Sequence, residues 1–540
     1  MKFIHEISPD KLRGGFYTPA PVVDACLGRI SRLLGADRPL RILEPSAGDG
    51  AFVRGLQASA DRGGLNGRIT CVELLEREAA LCRSALQAAG LDGQVIHDSF
   101  FAWAEGQSAQ FDAVVGNPPF VRFQFVPKTQ RSDADRHFAR LGRELAGVSN
   151  LWIPFVLISL ELLRNDGAFA LVLPAELLAT KSAGLIRSEF VRHFSDLQLD
   201  LYPRGSFPSI LQDVIVVSGR RCRLAADRRP VRFVEHTATG THAWEHDIPD
   251  AKDSWTRYLL SKSQLAAFEA ARQIPAVHRL ATVATLGVSI VTGANDFFTV
   301  DDATLAEHEL QPWARPLLAR TGDAPGLVFR TDDHAAARQA GRRAWILDFA
   351  ADAPNPERAS AASRYLESGV QQGLPGRYKC RVRTPWYRVP DVRSDVLMMS
   401  KRAHQFHRLL LNRAGAHTTD TIYRGRMKSE YSAHTADLVA GFHNSLTILS
   451  SEIEGRTYGG GVLELVPSEI GRLLVPMALL EGELPRLDQL CRRAGGQCDA
   501  SDSLIEATDT LLTAQLPDLR QILPELREAR LHLRRRRFRD

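Results

Sequence analysis

Seven short apolar runs, separated by segments of helical length, set the rhythm of about the first 220 residues. This alternation constrains the fold more than any other feature of the chain. The runs lie at 41–45, 69–74, 94–98, 111–116, 168–173, 197–202 and 214–218, with helical patterns such as 76–89 and 151–164 between them. Strands rich in Val, Ile and Leu that alternate with helices predict a mostly parallel sheet covered on both faces. Sheets of this kind bind ligands outside the carboxyl ends of their strands, so chemistry is sought in the residues just after each strand. After Arg220 the rhythm stops. Residues 221–253 are dominated by charged and turn residues and read as a linker or an edge hairpin. The remainder holds many Pro, Gly and Trp without a βαβ pattern. With 540 residues in all, it makes a second domain.

Several classes fall away. The longest apolar run, 151–163, contains Pro154, Ser159 and Glu161 and is shorter than the ~20 residues a bilayer span requires. It reads as a buried core segment, with no membrane partner. The first residues lack the apolar stretch of a signal peptide. Seven scattered cysteines without a CxxC pair indicate neither a zinc site nor a disulfide framework, so we expect a reduced, cytoplasmic protein without metal. Lys+Arg exceeds Asp+Glu only by 68 to 63, and placement matters more than the total. Residues 1–150 hold 18 basic and 17 acidic side chains, whereas residues 376–430 hold 13 and 4. A basic second domain beside a neutral first one suggests a polyanion partner.

Four places carry chemistry. Leu43-Glu44-Pro45-Ser46-Ala47-Gly48-Asp49-Gly50 joins a strand to a helix, where glycines admit a ligand close to the backbone and the helix start offers free N–H groups. A nicotinamide fingerprint requires a third glycine where Val53 stands, which weakens that reading. The acidic residue beside the loop repels a pyrophosphate but can bind the amino group of a cationic cofactor. By itself the segment is equally an ordinary tight turn. Glu73, ending the second strand 29 residues after Glu44, can accept both hydroxyls of a ribose. Asp98, ending the third, can take a hydrogen bond from an adenine amino group, with an aromatic beside the ring. The fourth place is the most specific. Asn117-Pro118-Pro119-Phe120 follows the apolar strand at 111–116. Two prolines fix the backbone, so the Pro118 carbonyl and the Asn117 side chain can be held rigidly toward a ligand. An amino group on an aromatic ring is a poor nucleophile because its lone pair is delocalised. Two acceptors drawing on its N–H bonds favour a more tetrahedral nitrogen, and Phe120 offers the ring a stacking face.

With these residues the chain resembles the gamma-class, TaqI-like N6-adenine DNA methyltransferases of bacterial type II restriction–modification systems, over nearly its whole length. The resemblance implies a class I (Rossmann-like) methyltransferase fold. That is an α/β domain with a seven-stranded, mostly parallel sheet and helices on both faces, followed by a C-terminal α+β target-recognition domain. The domains would run 1–245 and 246–525, with a disordered basic tail at 526–540 that adds non-specific attraction through Arg534–Arg537. S-adenosylmethionine is the implied cofactor. Gly14-Gly15-Phe16-Tyr17-Thr18-Pro19 is similar to the family's N-terminal cofactor motif, so Thr18 and the neighbouring backbone at Tyr17 would touch its methionine end. Glu44, Ser46, Gly48 and Gly50 match the main cofactor motif, Glu73 the ribose acid, and Asp98 the residue facing the adenine. Ser99 stands where the family often has Phe, and Phe100 would take that place. Asn117, Pro118 and Phe120 match the catalytic N-P-P-Y/F motif, and Phe207 is the candidate for a second aromatic that holds a flipped base. The segments 287–298, 378–387 and 455–464 are similar to parts of the recognition domain. There Lys379, Arg381, Arg383 and Arg388 can meet phosphates or a guanine edge.

The implied activity is methyl transfer to N6 of an adenine flipped from double-stranded DNA, by a monomer working beside a separate restriction endonuclease. One rival is an N-P-P-F methyltransferase acting on RNA guanine or protein glutamine, families that usually lack the upstream motif and the basic domain. A second is a DNA-binding module that has lost activity, against which Gly48, Gly50, Asn117 and Pro118 argue. A third, a fused methylase–nuclease, finds no carboxylate cluster to support it.

Overall fold

The computed structural model describes residues 18–108, 110–140, 150–202, 214–237, 239–250, 253–350, 353–458, 460–493 and 502–538. It divides into two units, with the boundary between Leu259 and Leu260. The boundary expected at 245 falls inside a strand, Gly240–Pro249, and therefore moves about fourteen residues later.

In the first unit the order is α1 (Ala20–Leu34), β1 (Leu40–Glu44), α2 (Ala51–Asp61), β2 (Gly67–Glu73), α3 (Glu76–Ala89), β3 (Gly93–His97), α4 (Phe100–Ala104) and β4 (Phe111–Gly116). It continues with α5 (Lys128–Arg140), α6 (Trp152–Glu161), β5 (Leu163–Pro174), α7 (Glu176–Ala179), α8 (Gly184–His193), β6 (Phe194–Leu201), β7 (Val214–Arg221), β8 (Arg228–Thr237) and β9 (Gly240–Pro249). The sheet order is β3-β2-β1-β4-β5-β7-β6-β8-β9. Strands β1 to β5 pair in parallel, and β7 runs antiparallel to both β5 and β6. The expected seven strands are all present. Two more extend the edge, because 221–253 contains the hairpin β8–β9 and β8 pairs in parallel with β6. Its apolar residues alternate with charges. Val231, Phe233 and Ile248 turn inward while Arg232 and Asp247 face water. A half-buried edge strand has this period of two.

Local sequence explains the helices. On α1 the inward stripe is Val22, Val23, Cys26, Leu27 and Ile30, spaced for one helical face. Helix α3 carries Glu76 and Glu78 in its first turn, where the helix dipole favours anions, and stops at Gly90 in the left-handed conformation. Helix α6 is apolar on every side and buried from Trp152 to Leu160. It ends three residues earlier than its pattern suggests, because β5 begins at Leu163.

The second unit is α+β. Its largest sheet has five strands, ordered Ala284–Gly287, Ile422–Met427, Leu397–Ser400, Leu409–Asn412 and Val328–Phe329. One apolar core gathers Phe297, Phe298, Trp313, Ile346, Tyr365 and Leu366. The expected disordered tail is a helix, Pro517–Phe538. Its arginines are internally partnered. Arg530 and Arg534 pair with Asp502, and Arg537, nearly inaccessible, pairs with the equally buried Glu452 at 2.8 Å. Opposite charges supplied by preceding helices turn a basic run into packing, which the run alone does not reveal. Among the described residues no helix is long and apolar enough to cross a membrane.

Candidate active site

Parallel pairing brings the carboxyl ends of β1, β2, β3 and β4 to one edge, and four of the expected segments meet there. The turn after β1 depends on its glycines. Gly48 and Gly50 have φ of +53° and +83°, a region side chains rarely adopt. A Cβ on Gly50 would also lie 3.0 Å from Ala85 Cβ and 3.2 Å from Cys82 Cα of α3, whereas the space beside Gly48 is open. Gly50 therefore serves both turn and packing, and Gly48 leaves a cradle that a side chain would fill.

Glu73 holds this turn in place. Its two carboxylate oxygens accept the N–H groups of Gly48 and Leu75, each at 2.9 Å. Each oxygen keeps a further lone pair for a ligand hydroxyl. Asp98 is exposed, its N–H donates to the Glu73 carbonyl at 3.1 Å, and its carboxylate accepts the Ser99 N–H at 2.7 Å.

A second chain of bonds joins residues far apart in sequence. Asn117 Nδ2 donates to Thr18 Oγ at 3.2 Å, and Ser46 Oγ donates to the Asn117 carbonyl at 3.1 Å. Thr18, Ser46 and Asn117 thus form one hydrogen-bonded group. Pro118 and Phe120 are buried beside it, Phe120 to 8% exposure. The chain then turns, with Leu151 N–H donating to Val121 O at 2.8 Å.

Glu44 differs from its expected role as partner of a cationic amino group. It lies beneath the turn, 2% exposed, and its carboxyl accepts the Cys71 thiol at 3.6 Å. Burial pushes its pKa well above the usual carboxylate range, and the field of neighbouring acidic groups adds to this. Glu44 is thus turned into the interior, toward Cys71. Phe100 also differs. Its ring is 3% exposed and stacked on Phe155 at 4.9 Å between centroids. An apolar plate that the sequence reading missed stands at Leu74, directly after Glu73 and 47% exposed. Its signal was an apolar residue following a strand-end acid. Tyr17 and Phe207 lie outside the described residues.

In the second unit two of the expected recognition segments pack together. Gly293, with φ of +82°, admits Lys379 so closely that a Cβ there would lie 2.7 Å from Lys379 Cβ. Phe297 meets Trp386 at 5.5 Å. Arg383 donates to the carbonyls of Val291 at 2.6 Å and Thr292 at 2.7 Å, and burial lowers its pKa. It braces the two segments, in contrast to the phosphate contact expected of it. Lys379, Arg381 and Arg388 are exposed. The third segment forms the hairpin Arg456–Tyr458 and Val462–Glu464, tied by Arg402 to Glu464 at 2.5 Å.

The 3-2-1-4-5-7-6 strand order, with a reversed β7 and a glycine turn after β1, defines a class I methyltransferase fold. The model of the Eco57I restriction–modification methylase matches residues 77–199, and that of the C-terminal domain of type II methyltransferase M.Eco57I matches 252–512. The chain belongs to this family of type II restriction–modification methyltransferases. It is similar to type II methyltransferase M.XamI of Xanthomonas campestris pv. amaranthicola, 24% identical over 86% of this chain and 85% of the relative. It is also similar to M.AccI of Acinetobacter calcoaceticus, 21% identical over 86% of each. Among solved structures, the DrdV–DNA complex shares the fold with a TM-score of 0.50 at 12% identity, over 89% of this chain and 57% of that one. The chain also spans 66% of the type IIG restriction endonuclease BpuSI, with a TM-score of 0.42 at 15% identity.

Proposed function

We propose that the protein transfers the methyl group of S-adenosylmethionine to N6 of an adenine flipped out of duplex DNA, protecting a short sequence from a separate restriction endonuclease. It acts as a monomer in the cytoplasm. The observation that carries this reading is the joining of Thr18, Ser46 and Asn117 into one hydrogen-bonded group at the strand edge that also holds Gly48 and Glu73.

The residues fit the cofactor. Glu73 has a lone pair on each oxygen for ribose hydroxyls, the cradle at Gly48 is open, and Leu74 offers an apolar plate for the adenine ring. Thr18 and Ser46 lie where the methionine end would sit, and Asp98 with Ser99 where the adenine amino group would. The cofactor supplies an activated methyl group, so the protein's task is alignment and not proton chemistry. With its Nδ2 donating to Thr18, the Asn117 amide turns its oxygen to accept one hydrogen of the target amino group, and the Pro118 carbonyl accepts the other. Phe120 stacks on the base, and Phe207 is proposed for its other face. The amino proton leaves once nitrogen carries the methyl group, so no dedicated base is required. Duplex DNA is the substrate class because the relatives are restriction–modification methyltransferases and the second unit is basic.

Single-molecule sequencing of DNA from a methylation-free host expressing the protein should reveal N6-methyladenine at one short motif, absent with Asn117→Ala. Soluble protein that binds S-adenosylmethionine but leaves adenines unmodified would overturn the reading. RNA and protein glutamine would then be assayed.

A further inference from the structure

In the second unit a groove of about 570 Å³ runs between Val291 and the segment 379–390. Its apolar wall is Val291, Val382, Val389 and Pro390, and its polar groups are Lys379, Arg388 and Thr384, with Arg383 braced below. The volume suits one nucleotide-sized guest. Among the described residues no carboxylate lines it, and none stands within ion-pair distance of Lys379, Arg381 or Arg388. Two large apolar side chains nevertheless face water at its rim, Tyr378 at 66% and Val382 at 65% exposure. They stand four apart around the single helical turn Tyr378–Arg381, so they share a side. The Lys379 ammonium lies over the Tyr378 ring, 5.6 Å from its centre.

Exposed cations beside exposed apolar side chains suit a partner that offers anionic and apolar surface together. A strand of DNA does so, since its phosphates meet the cations and its sugar and base faces meet the apolar wall. We propose that this groove clamps one strand of the duplex. Lys379, Arg381 and Arg388 take successive phosphates, the Val382–Pro390 wall receives a deoxyribose, and Tyr378 presses against a base step to ease opening of the stack. Arg383 positions the clamp without touching DNA. The inference rests on the reading of the protein as a DNA methyltransferase and assigns the grip to this groove.

The test measures binding of the full chain to a fluorescein-labelled duplex of mixed sequence across a salt series. Lys379→Ala and Arg388→Ala should each flatten the slope of log K against log salt by about 0.9, one phosphate each. Arg535→Ala, on the exposed side of the C-terminal helix, should leave it unchanged. Tyr378→Ala should leave the slope unchanged but reduce the fluorescence rise of a 2-aminopurine at the methylated position, while calorimetric binding of S-adenosylmethionine stays as in the parent. Unchanged slopes in a protein that still methylates DNA would overturn the clamp alone. Flattened slopes in a protein that binds DNA but never methylates it would support the clamp and overturn the proposed reaction. Saturable binding of free adenosine monophosphate that Lys379→Ala abolishes, with the slopes unaltered, would make the groove a nucleotide site and refute the clamp.

Discussion

Replacing Glu73 by Gln isolates the ribose end of the proposed cofactor site. The carboxylate accepts Gly48 N–H on one oxygen and Leu75 N–H on the other. Glutamine has one acceptor and one donor at the same places, so whichever way the amide turns, an NH2 faces a backbone N–H. One backbone bond is lost, and with it the acceptor for one ribose hydroxyl. Hydrogen bonds to charged groups contribute about 1.5–3 kcal/mol each. A net loss of about 2 kcal/mol in binding weakens Kd roughly 30-fold. Calorimetric titration with S-adenosylmethionine and with its neutral product S-adenosylhomocysteine reads this directly. The two ligands share the ribose, so both should weaken by the same factor. An unchanged Kd would refute the assignment of Glu73 to the ribose. A loss confined to S-adenosylmethionine would refute it differently, by showing that Glu73 acts through its charge on the sulfonium.

Three further outcomes follow from the second unit. Arg383→Ala removes both bonds to Val291 and Thr292, which should cost about 2–4 kcal/mol and lower the melting temperature of this unit by several degrees, while the salt dependence of DNA binding stays unchanged. Scanning calorimetry beside a salt series checks this, and a stable variant with a flattened slope would return Arg383 to the phosphates. Arg537→Ala leaves Glu452 buried without its partner and should cost about 3–5 kcal/mol in urea unfolding, with Arg537→Met/Glu452→Met recovering only part of it, because Arg537 also donates to the carbonyls of His404, Gln405 and Gly461. Burial pushes the pKa of His407 and of His443 down to about 3. The unfolded chain protonates these rings near pH 6.5 and the folded one resists. Their contribution is therefore present above about pH 6.5 and falls away as pH drops toward 3. Urea midpoints measured across that window should decline, less steeply in His443→Gln, and a flat profile would contradict the burial.

The first unit was legible because its signals are local. Strand and helix periods, a glycine turn and an Asn-Pro-Pro-Phe segment each depend on a few neighbouring residues, and parallel pairing then aligns their ends without further information. Glu44 and Phe100 were less legible. Whether a strand-end acid faces a ligand or lies beneath its turn depends on Cys71 and Cys82 from other elements. Whether a Phe flanks a site or packs in the core depends on Phe155, more than fifty residues away. The hairpin β8–β9 was half hidden because its solvent face carries so many charges that its inward residues read as scattered.

Charge counting misleads for the same reason. The surplus at 376–430 suggested a broad basic surface, yet much of it is internal. Arg408, 4% exposed, donates to the carbonyls of Thr321, Ala324 and Gly326, and Arg424, also buried, pairs with Asp391. Arg402 and Lys401 share Glu464, and Arg426 pairs with Asp395. An arginine whose guanidinium is already satisfied offers a polyanion little, because the new contact must first replace the old. Arg393 pairs with Asp391, and Arg383 is bonded to the carbonyls of Val291 and Thr292. Subtracting all of these leaves Arg377, Lys379, Arg381 and Arg388 as a compact group without a carboxylate at ion-pair distance among the described residues, with Arg413 and Lys428 the other cations of the stretch in that state. The polyanion signal in the sequence is therefore real in sign but narrower in place than its sum implies, and it converges on the segment that Arg383 holds rigid.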